Sequence, residues 1–427
     1  MKNTSLECDV LVVGGGAAGV PCAISAAREG ARVVLLEEDP VVGGCLTDFY
    51  VTMLCGGPRT GFYEHARETL REERFTKPGA GEWFLPSAWL RLLDRELAAH
   101  SNIEILCGVR AERALVEAGR IAGVLACSGG REIRIKARVT IEATGTGALA
   151  ESAGATVCYG RDARAEFDEP HAPETADSRV QLCTWMYVSQ RMPGAPALDF
   201  KRLAAPYNRA FITQPGRLRP GEGENAGEPG LHLHWGCAVR CKDTRDSVAL
   251  AAAQREALKF LEPDLALLAE SGYAVHLAPR LGVREVRRVM GEAVLTENDL
   301  VAGAMPPDTV AIGDYPLDIW GEGDEPEKHA LIVKMPPYGI PLGAMIPKGM
   351  EGLLVTGKCA SGTHVAMSSF RVMPIVGQMG QAAGVAAALA AKRGIAVRAV
   401  DPADVRARLR GEAHGVALEE FGASGAT

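Results

Sequence analysis

Three glycines near the amino terminus have the spacing of a phosphate-binding turn. Gly14, Gly16 and Gly19 follow an apolar run and precede an alanine-rich stretch, between a predicted strand and a predicted helix. There, glycine permits a tight turn and close backbone approach to a pyrophosphate, and the helix N-terminus favours an anion. Glu37 lies 23 residues after Gly14, placed to accept hydrogen bonds from ribose hydroxyls. The combination predicts a dinucleotide-binding site, and the alternative is a glycine-rich structural turn.

The acidic residue narrows the choice of nucleotide. A carboxylate at Glu37 suits a free 2′-hydroxyl and repels a 2′-phosphate, which disfavours NADP. Gly43 and Gly44 begin six residues after Glu37 and allow the backbone to pass close to a second bulky part of a cofactor. NAD-binding domains usually continue directly into further βα units, so the double glycine favours FAD over NAD.

Histidines are the candidates for moving the proton that accompanies a redox step, because imidazole titrates near neutral pH. His364 lies in the predicted loop between the last strand and the last helix, where it could act in chemistry or brace the loop. His232 and His234 are two residues apart on a predicted strand and therefore share a face. That face would line a cavity if it covers the cofactor, and otherwise it is directed to solvent.

Arginines offer candidate anion sites. Arg371 could neutralise a carboxylate substrate or a reduced cofactor, or it could pair a loop with a helix. Arg284, Arg287 and Arg288 are expected on one side of a helical turn, where they could bind an anionic substrate. A structural salt-bridge network with neighbouring acidic residues is the favoured interpretation.

Cysteines are read as reduced thiols. The chain has 11 of them and no predicted secretory signal, which argues against a disulfide framework. Cys45 follows the double glycine and could link covalently to the cofactor or act as a redox thiol, although a small buried hydrophobe is the favoured role. Cys237 and Cys241 have no second ligand pair, so we expect no metal site.

These residues must be positioned by a βαβ unit. Periodicity predicts a strand at 9–13, a helix at 17–28 and a strand at 32–37. A helix at 86–99 and a short strand at 103–106 would extend a parallel sheet.

After this unit the predicted pattern of secondary structure changes. Residues 109–144 predict an antiparallel meander, because apolar-polar runs are split by glycine turns. Beyond it the βα rhythm is lost, with a loose Pro/Gly/Glu stretch at 215–230, a strand at 231–235 and a long helix at 246–268 that Pro263 partly interrupts.

The carboxyl-terminal segment again has an α/β pattern, with a strand at 352–356, a polar loop and an alanine-rich helix at 374–392. We therefore expect an α/β fold: a Rossmann-like FAD-binding domain, with a parallel sheet plus β-meander, and an inserted α+β substrate or cap domain. The expected parts are 1–150 and 336–427 for the FAD-binding domain, and 151–335 for the cap.

Composition restricts the functional class. Of 427 residues, 47% are hydrophobic and 23% are charged, which is typical of a globular protein with two domains. The net charge of −7 argues against nucleic-acid binding, which needs a basic surface. No apolar run approaches the ~20 residues of a membrane helix, so a cytoplasmic protein is expected.

The motifs also carry a family likeness. The matching segments are 9–19, 43–47, 142–147, 282–288 with 295–296, 353–359 through 369–371, and 380–384, and they span nearly the whole chain. In them the sequence resembles the FAD-dependent oxidoreductases of the glutathione-reductase-like fold, above all a bacterial group known simply by that description. The first motif is shared by many flavoproteins, whereas the last two are more specific to this group.

The resemblance implies FAD as the cofactor and a place for each segment around it. Residues 143–145 would close over the adenosine, Val109 would contact the adenine through its backbone, and residues 357–371 with the last helix would face the isoalloxazine. A helix N-terminus there would stabilise negative charge on reduced flavin. The expected cofactor-binding residues are Gly14, Gly16, Ala17, Ala18, Gly19, Glu37, Glu38, Gly43, Gly44, Cys45, Thr47, Val109, Ala143, Thr144, Gly145, Gly357, Ser361 and Met373.

Two positions depart from the family pattern. Thr146 stands where an acidic residue is expected after Thr-Gly, and Trp320 stands where a histidine is expected two residues after Asp318. The second difference removes a plausible base, which leaves His364, His232, His234 and Arg371 as the catalytic candidates.

The sequence thus predicts an FAD-dependent oxidoreductase that transfers a hydride between a small organic substrate and flavin N5. Its electron acceptor is unknown, and self-association into a homo-oligomer is compatible with the sequence. Neither nucleic acid nor membrane is expected as a partner. The alternatives are a flavin-bearing redox carrier or subunit and a tRNA-modifying FAD protein. A carrier has little use for a cap domain, and the second would need a basic surface.

Overall fold

The structure is a computed structural model that describes residues 4–76, 82–203, 216–218, 231–321, 330–411, 415–416 and 418. The strands are β1 Thr4–Val13, β2 Val33–Glu37, β3 Ile103–Cys107, β4 Arg110–Glu117, β5 Arg120–Ser128, β6 Arg131–Glu142, β7 Val157–Cys158, β8 Cys183–Arg191, β9 Gly216–Leu218, β10 Leu231–Val239, β11 Tyr273–Leu277, β12 Arg288–Val289, β13 Thr309–Gly313, β14 Leu317–Trp320, β15 Ala330–Val333, β16 Tyr338–Pro341 and β17 Leu353–Val355. The helices are α1 Gly19–Arg28, α2 Cys45–Asp48, α3 Gly61–Glu72, α4 Pro86–Ala98, α5 Ala148–Ser152, α6 Arg164–Phe167, α7 Ser247–Glu270, α8 Glu297–Val301, α9 His364–Phe370, α10 Met373–Arg393 and α11 Pro402–Gly411.

The main sheet has a parallel part and an antiparallel part. Strands β3, β2, β1 and β6 lie side by side and run parallel, and β17 joins β6 in parallel. On the edge of β6 that faces away from β1, the amino-terminal half pairs with β5, which pairs with β4, and these two ladders are antiparallel. The predicted α/β fold with a parallel sheet plus β-meander is confirmed. Since parallel strands end at one edge, the loops after Val13, Glu37, Glu142 and Val355 meet there.

Helices α1 and α10 pack against each other with their backbones in contact. A Cβ added at Gly380 of α10 would lie 2.2 Å from the carbonyl oxygen of Ala18, and one at Gly384 would lie 2.2 Å from that of Cys22 in α1. Only glycine allows so close an approach. The contact brings the amino-terminal ends of α1 and α10 to the same edge of the sheet.

A second sheet, with strand order β11-β8-β10-β9, is antiparallel and lies in the segment between β6 and β17. One of its faces carries α7, where Tyr187 shares a hydrophobic cluster with Ala257 and Leu261. Met186 and Leu233 on the other face pack against Trp83, which precedes α4. The second sheet is therefore held between α7 and the amino-terminal part of the chain. The boundaries expected at 150 and 335 stay predictions.

The predicted elements of the βαβ unit are confirmed with small shifts, since α1 begins at Gly19 and β2 at Val33. The helix predicted at 246–268 is the continuous α7, which accommodates Pro263, and its N-cap carboxylate Asp246 accepts a hydrogen bond from the N–H of Val248. The polar loop predicted before the last helix is wrong in part, because it contains α9. The stretch at 215–230 lies outside the described residues apart from β9.

Within the described residues, no single helix is long and apolar enough to cross a membrane. Helices α9 and α10 reach the required length and apolarity only as a pair, with a bend of 92° between them. Residues 364–370 and 373–391 of these helices are buried inside the protein. Their apolar surface is thus covered by the rest of the fold.

The glycine contact between α1 and α10 makes a stability prediction. Gly384→Ala should lower the free energy of unfolding by ~1–3 kcal/mol, because the added methyl group meets the Cys22 carbonyl and forces the helices apart. Gly411→Ala is the control, since a Cβ there meets nothing within 4 Å. Urea unfolding followed by far-UV circular dichroism measures both. Equal stability of the two variants would contradict the packing described.

Candidate cofactor and active site

The glycines in the turn after β1 are required for two different reasons, packing within the protein and access for a ligand. Gly14 has a φ of 102°, and its Cβ would lie 2.7 Å from the backbone of Ala143, while a Cβ at Gly19 would lie 1.8 Å from the Gly14 carbonyl oxygen. Packing within the protein therefore requires both. A Cβ at Gly16 would meet only the Cα of Gly44, at 3.8 Å. Protein packing does not explain Gly16, and the close approach of a pyrophosphate does.

Glu37 is buried at the end of β2 and braces the turn. Its carboxylate accepts hydrogen bonds from the N–H of Gly15 at 2.8 Å and of Asp39 at 3.0 Å. Burial raises the pKa of Glu37, and these two donors act in the opposite direction. The N–H of Val109 reaches the Glu37 carbonyl at 2.9 Å, so the predicted ribose and adenine residues are neighbours. Glu38, also predicted to bind the cofactor, is exposed.

The double glycine lies directly against the first turn. Gly44 has a φ of 57°, and its Cβ would lie 2.9 Å from the Cα of Gly16. The N–H of Gly43 donates to the Gly15 carbonyl at 2.8 Å. Helix α2 follows, with the Thr47 hydroxyl bonded to the Gly44 carbonyl at 3.0 Å. The two glycine turns therefore lie against each other, a contact that the sequence analysis did not predict.

Cys45 is the first residue of α2. Burial raises its pKa to about 11, while the Lys358 ammonium acts in the opposite direction. The thiol form is therefore dominant at neutral pH, which fits the favoured role of a small half-buried hydrophobe better than that of a redox thiolate.

The third segment, 143–145, is anchored by a residue that the sequence analysis did not assign. The N–H of Ala143 donates to the Val13 carbonyl at 2.8 Å. The carboxylate of Glu142, which is fully buried, accepts hydrogen bonds from the Thr144 hydroxyl and, at 2.6 Å, from the N–H of Ala150. Burial raises the pKa of Glu142. Its side chain therefore fixes the turn that follows β6.

The fourth segment begins after β17. Gly357 has a φ of 80°, and its Cβ would lie 3.4 Å from that of Ala18, next to the first turn. The hydroxyls of Thr356 and Ser361 are buried and have no hydrogen-bond partner among the described residues. Met373 then starts α10. Two orphaned hydroxyls beside the glycine turns fit the site of a polar ligand.

His364 is the first residue of α9 and is buried in a charged network. Its Nδ1 lies 2.9 Å from a carboxylate oxygen of Glu285, which also pairs with Arg288 at 2.5 Å. Arg288 bonds to Asp162 as well, at 2.9 Å. Burial alone would raise the pKa of Glu285, but His364 and Arg288 outweigh it and lower that pKa. The structure thus joins His364 to the cap segment rather than leaving it in an open loop.

His232 and His234 share a face of β10, as predicted, with ring centroids 6.5 Å apart. On that face His234 is buried and His232 is half-buried, and the rings of Tyr187 and Phe200 pack against them. Tyr187, in the cluster under α7, stacks on His234 with a centroid distance of 4.4 Å, and the Ser189 hydroxyl lies 2.7 Å from Nε2 of His234. Burial lowers the pKa of His234 to about 3. The expectation of a solvent face is therefore wrong for His234, while a role of either histidine in catalysis stays a prediction.

The three arginines near position 286 diverge, because residues 283–287 have no regular secondary structure and do not form the predicted helical turn. Arg288 is part of the buried network, and Arg287 pairs with Glu151 at 2.7 Å. Arg284 pairs with no carboxylate among the described residues, and its guanidinium carbon lies 3.9 Å above the ring of Trp320. Arg371 pairs with Asp318 at 3.1 Å. Of the three arginines in the predicted cluster, Arg287 and Arg288 thus form structural ion pairs, and Arg284 has no carboxylate partner among the described residues.

Two glycine turns, a buried carboxylate and a helix N-terminus meet at the carboxyl edge of the parallel sheet. This arrangement is that of a dinucleotide-binding protein of the Rossmann type. The sequence profile of the family described as FAD dependent oxidoreductase matches residues 9–409. The chain belongs to this family, and its cofactor is FAD.

Individual relatives match over short segments. Fumarate reductase (cytochrome) of Shewanella frigidimarina is 58% identical over 36 residues, which are 8% of this chain and 6% of that protein. Sarcosine oxidase subunit alpha of Rhizobium meliloti is 30% identical over 122 residues, 26% of this chain and 12% of that protein. The chain thus spans a small fraction of these curated relatives. A geranylgeranyl bacteriochlorophyll reductase-like structure from Thermoplasma acidophilum aligns with a TM-score of 0.45 and 13% identity, over 98% of this chain and 84% of that one.

The two kinds of glycine in the first turn predict two kinds of defect. Gly16→Val should abolish FAD binding but leave the melting temperature of the flavin-free protein nearly unchanged, because within the protein a Cβ there makes only an ordinary contact with the Cα of Gly44 at 3.8 Å. Gly19→Ala should lower that melting temperature, because its methyl group meets the Gly14 carbonyl. Glu37→Ala should weaken FAD binding less than Gly16→Val does. Flavin absorbance after gel filtration and thermal unfolding of the flavin-free protein measure these effects. Full FAD content in Gly16→Val would contradict the site.

The buried network predicts a pH-dependent stability. Glu285→Gln should cost roughly 3–5 kcal/mol at pH 7, because Arg288 and His364 lose a buried partner. Since folding lowers the pKa of Glu285, its stabilisation is present above its unfolded pKa of about 4.3 and is lost as the pH falls through the lower folded value. The difference from wild type should therefore be similar at pH 7 and 5 and smaller below pH 4.

The matched control is Glu292→Gln, which removes a partly exposed pair with Arg398 and should cost less than about 1 kcal/mol. Urea unfolding at each pH gives the free energies. A difference for Glu285→Gln that stays constant from pH 7 to pH 3.5 would show that its charge does not stabilise the fold.

Proposed function

We propose that this protein transfers a hydride between a small organic substrate and N5 of FAD, as a member of the glutathione-reductase-like group. The observation that carries the proposal is the meeting of four separate segments at one edge of the parallel sheet. The turns at Gly16 and Gly44, the loop 143–145 and the segment 357–361 contact one another or share partners there. Such an edge is where α/β sheets bind their ligands.

The residues present divide the work of holding FAD. The backbone at Gly16 and Gly44 would face the pyrophosphate, and Glu37 with Val109 would hold the adenosine. The segment after Gly357 and the N-terminus of α10 would face the isoalloxazine, where the helix dipole favours negative charge. When bound, FAD supplies a carrier that accepts or donates two electrons as a hydride.

The second sheet supports an enzyme with its own substrate rather than a redox carrier. Its face with Met186 and Leu233 packs on Trp83, close to Tyr50 and Met53 between α2 and α3. A sheet in this position can enclose a small molecule beside the cofactor segments. The net charge of −7 does not support the tRNA-modifying alternative.

We infer a positioning role for His364. It is 5% exposed and its Nδ1 is engaged by Glu285, so it links the start of α9 to the extended segment that carries Arg284. The N–H of His364 also donates to Asp162 at 2.7 Å. This arrangement supports the bracing alternative for the histidine, because both its backbone and its ring are used to join segments.

Reduction of the flavin tests the proposed reaction. The purified protein should contain FAD, and under anaerobic conditions at least one member of a panel of alcohols, amines and hydroxy acids should bleach its absorbance near 450 nm, the usual band of oxidised flavins. A colourless protein that does not take up added FAD would refute cofactor and function together. A flavin-loaded protein that no substrate class reduces, while reduced partner proteins do, would favour the carrier.

His364→Ala separates positioning from proton transfer. As a positioning residue, His364 should leave the rate of flavin reduction in the FAD-loaded fraction within a few-fold of wild type, while stability or FAD retention falls. As an acid or base it should slow that rate by ~10²–10⁴-fold with the fold intact. Rapid mixing of FAD-loaded variant with a reducing substrate measures the rate. The second result would return His364 to the catalytic residues.

A further inference from the structure

Strand β14 brings two arginines from distant parts of the chain to one place. Asp318 and Trp320 are two residues apart on this strand and therefore share a face. Arg371 donates from Nη2 to the carbonyl and carboxylate oxygens of Asp318, both at 3.1 Å. The guanidinium carbon of Arg284 lies over the ring of Trp320, 3.9 Å from the ring centre. Arg284 and Arg371 are thus neighbours on the same face of β14.

A third cation adjoins them. Nζ of Lys358 donates to the carbonyl of Val283 at 2.6 Å, immediately before Arg284 in the chain. A Cβ at Gly145 would lie 3.0 Å from Cε of Lys358, so the lysine stem passes beside the loop that follows β6. Lys358 therefore connects the arginine pair with the segments assigned to FAD.

The charges in this group do not balance within the protein. Asp318 is the only carboxylate that pairs with any of the three cations in the described part of the chain. The other bonds of Arg284 go to neutral groups, the Leu182 carbonyl at 2.7 Å and the Thr184 hydroxyl. Nε of Arg371 is buried without a hydrogen-bond partner. A structural ion-pair network would leave no such surplus of donors.

The same surplus appears in the electrostatics. Burial lowers the pKa of Arg284, and the charge of Arg371 lowers it further. Burial also lowers the pKa of Lys358. Like charges brought together away from water cost free energy unless an anion offsets them. Other neighbours of these cations are Tyr315, Cys183 and the indole of Trp320. Burial raises the pKa of Tyr315, and a hydrogen bond to Cys241 together with burial raises that of Cys183, so none of the three carries a negative charge at neutral pH.

We propose that Arg284 and Arg371, with Lys358 at their side, bind the carboxylate group of an anionic substrate. The inference rests on the proposed function and adds a substrate class to it. Guanidinium groups match the two oxygens of a carboxylate with paired donors, and Trp320 and Tyr315 offer apolar surface for the adjoining carbon atoms. The phosphates of FAD are assigned to the glycine turns at Gly16 and Gly44, which leaves these cations to another anion.

Matched acid and amide probes test the site in the FAD-loaded protein. Benzoate and acetate should perturb the flavin absorbance and bind more tightly than benzamide and acetamide, which have nearly the same shapes without the charge. Arg284→Gln and Arg371→Gln should each raise the dissociation constant for benzoate ~10–100-fold, as expected for a lost charge-assisted hydrogen bond, and leave benzamide binding unchanged. The control is Arg245→Gln, which should change neither affinity, because Arg245 pairs with Asp243 in its own loop and lies over the ring of Tyr159.

Other outcomes would overturn the proposal while leaving the oxidoreductase intact. Equal affinity for benzoate and benzamide, in a protein that holds FAD and is reduced by a substrate, would exclude a carboxylate site. Unchanged benzoate binding in the glutamine variants, with a lowered flavin reduction potential, would assign the cations to the reduced flavin instead. If Arg284→Gln does not fold, Arg284→Lys retains the charge but not the paired donors, and undiminished benzoate binding in it and in Arg371→Gln would equally refute the site.

Discussion

The close contact between α1 and α10 is the constraint on which the site depends. Backbone meets backbone at Gly380 and Gly384, so the two helices lie as near to each other as helices can. Helix α1 follows β1, and α10 follows β17 after the short α9, so the segments before the two helices, one with Gly16 and one with Gly357, meet at one edge of the sheet. A larger residue at either glycine would separate the loops. Helix packing that looks purely structural thus sets the geometry of the cofactor segments.

A second constraint joins the cap segment to the carboxyl-terminal segment through buried charge. Asp162, Glu285 and Arg288 from the cap segment meet His364 from the carboxyl-terminal segment, and these side chains are almost entirely shielded from water. Burying ions in this way is costly unless every partner is present. The main consequence of the network is therefore positional. It holds Arg284, one residue before Glu285, over β14 in a single arrangement.

Much of the cofactor edge could be predicted from the sequence because local rules govern it. The spacing of Gly14, Gly16 and Gly19 and the position of Glu37 require only a strand, a turn and a helix. The sequence could not show which histidines face a cavity, since this depends on how β8 and β10 pack on α7. Nor could it show that Arg284 and Arg371, 87 positions apart, meet on β14. Glu142 lies in the motif 142–147, but its role becomes clear only from the structure, where its carboxylate accepts a hydrogen bond from the Thr144 hydroxyl.

The order of the segments along the chain has a consequence for biosynthesis. Strand β17 pairs with the carboxyl-terminal half of β6, and α10 covers α1, yet more than two hundred residues separate β6 from β17. While the ribosome makes the intervening segment, the edge of β6 and the apolar side of α1 wait for partners that do not yet exist. The nascent amino-terminal part is thus exposed to unwanted strand pairing for about half of translation, and the cofactor edge can close only after β17 and α10 have been made.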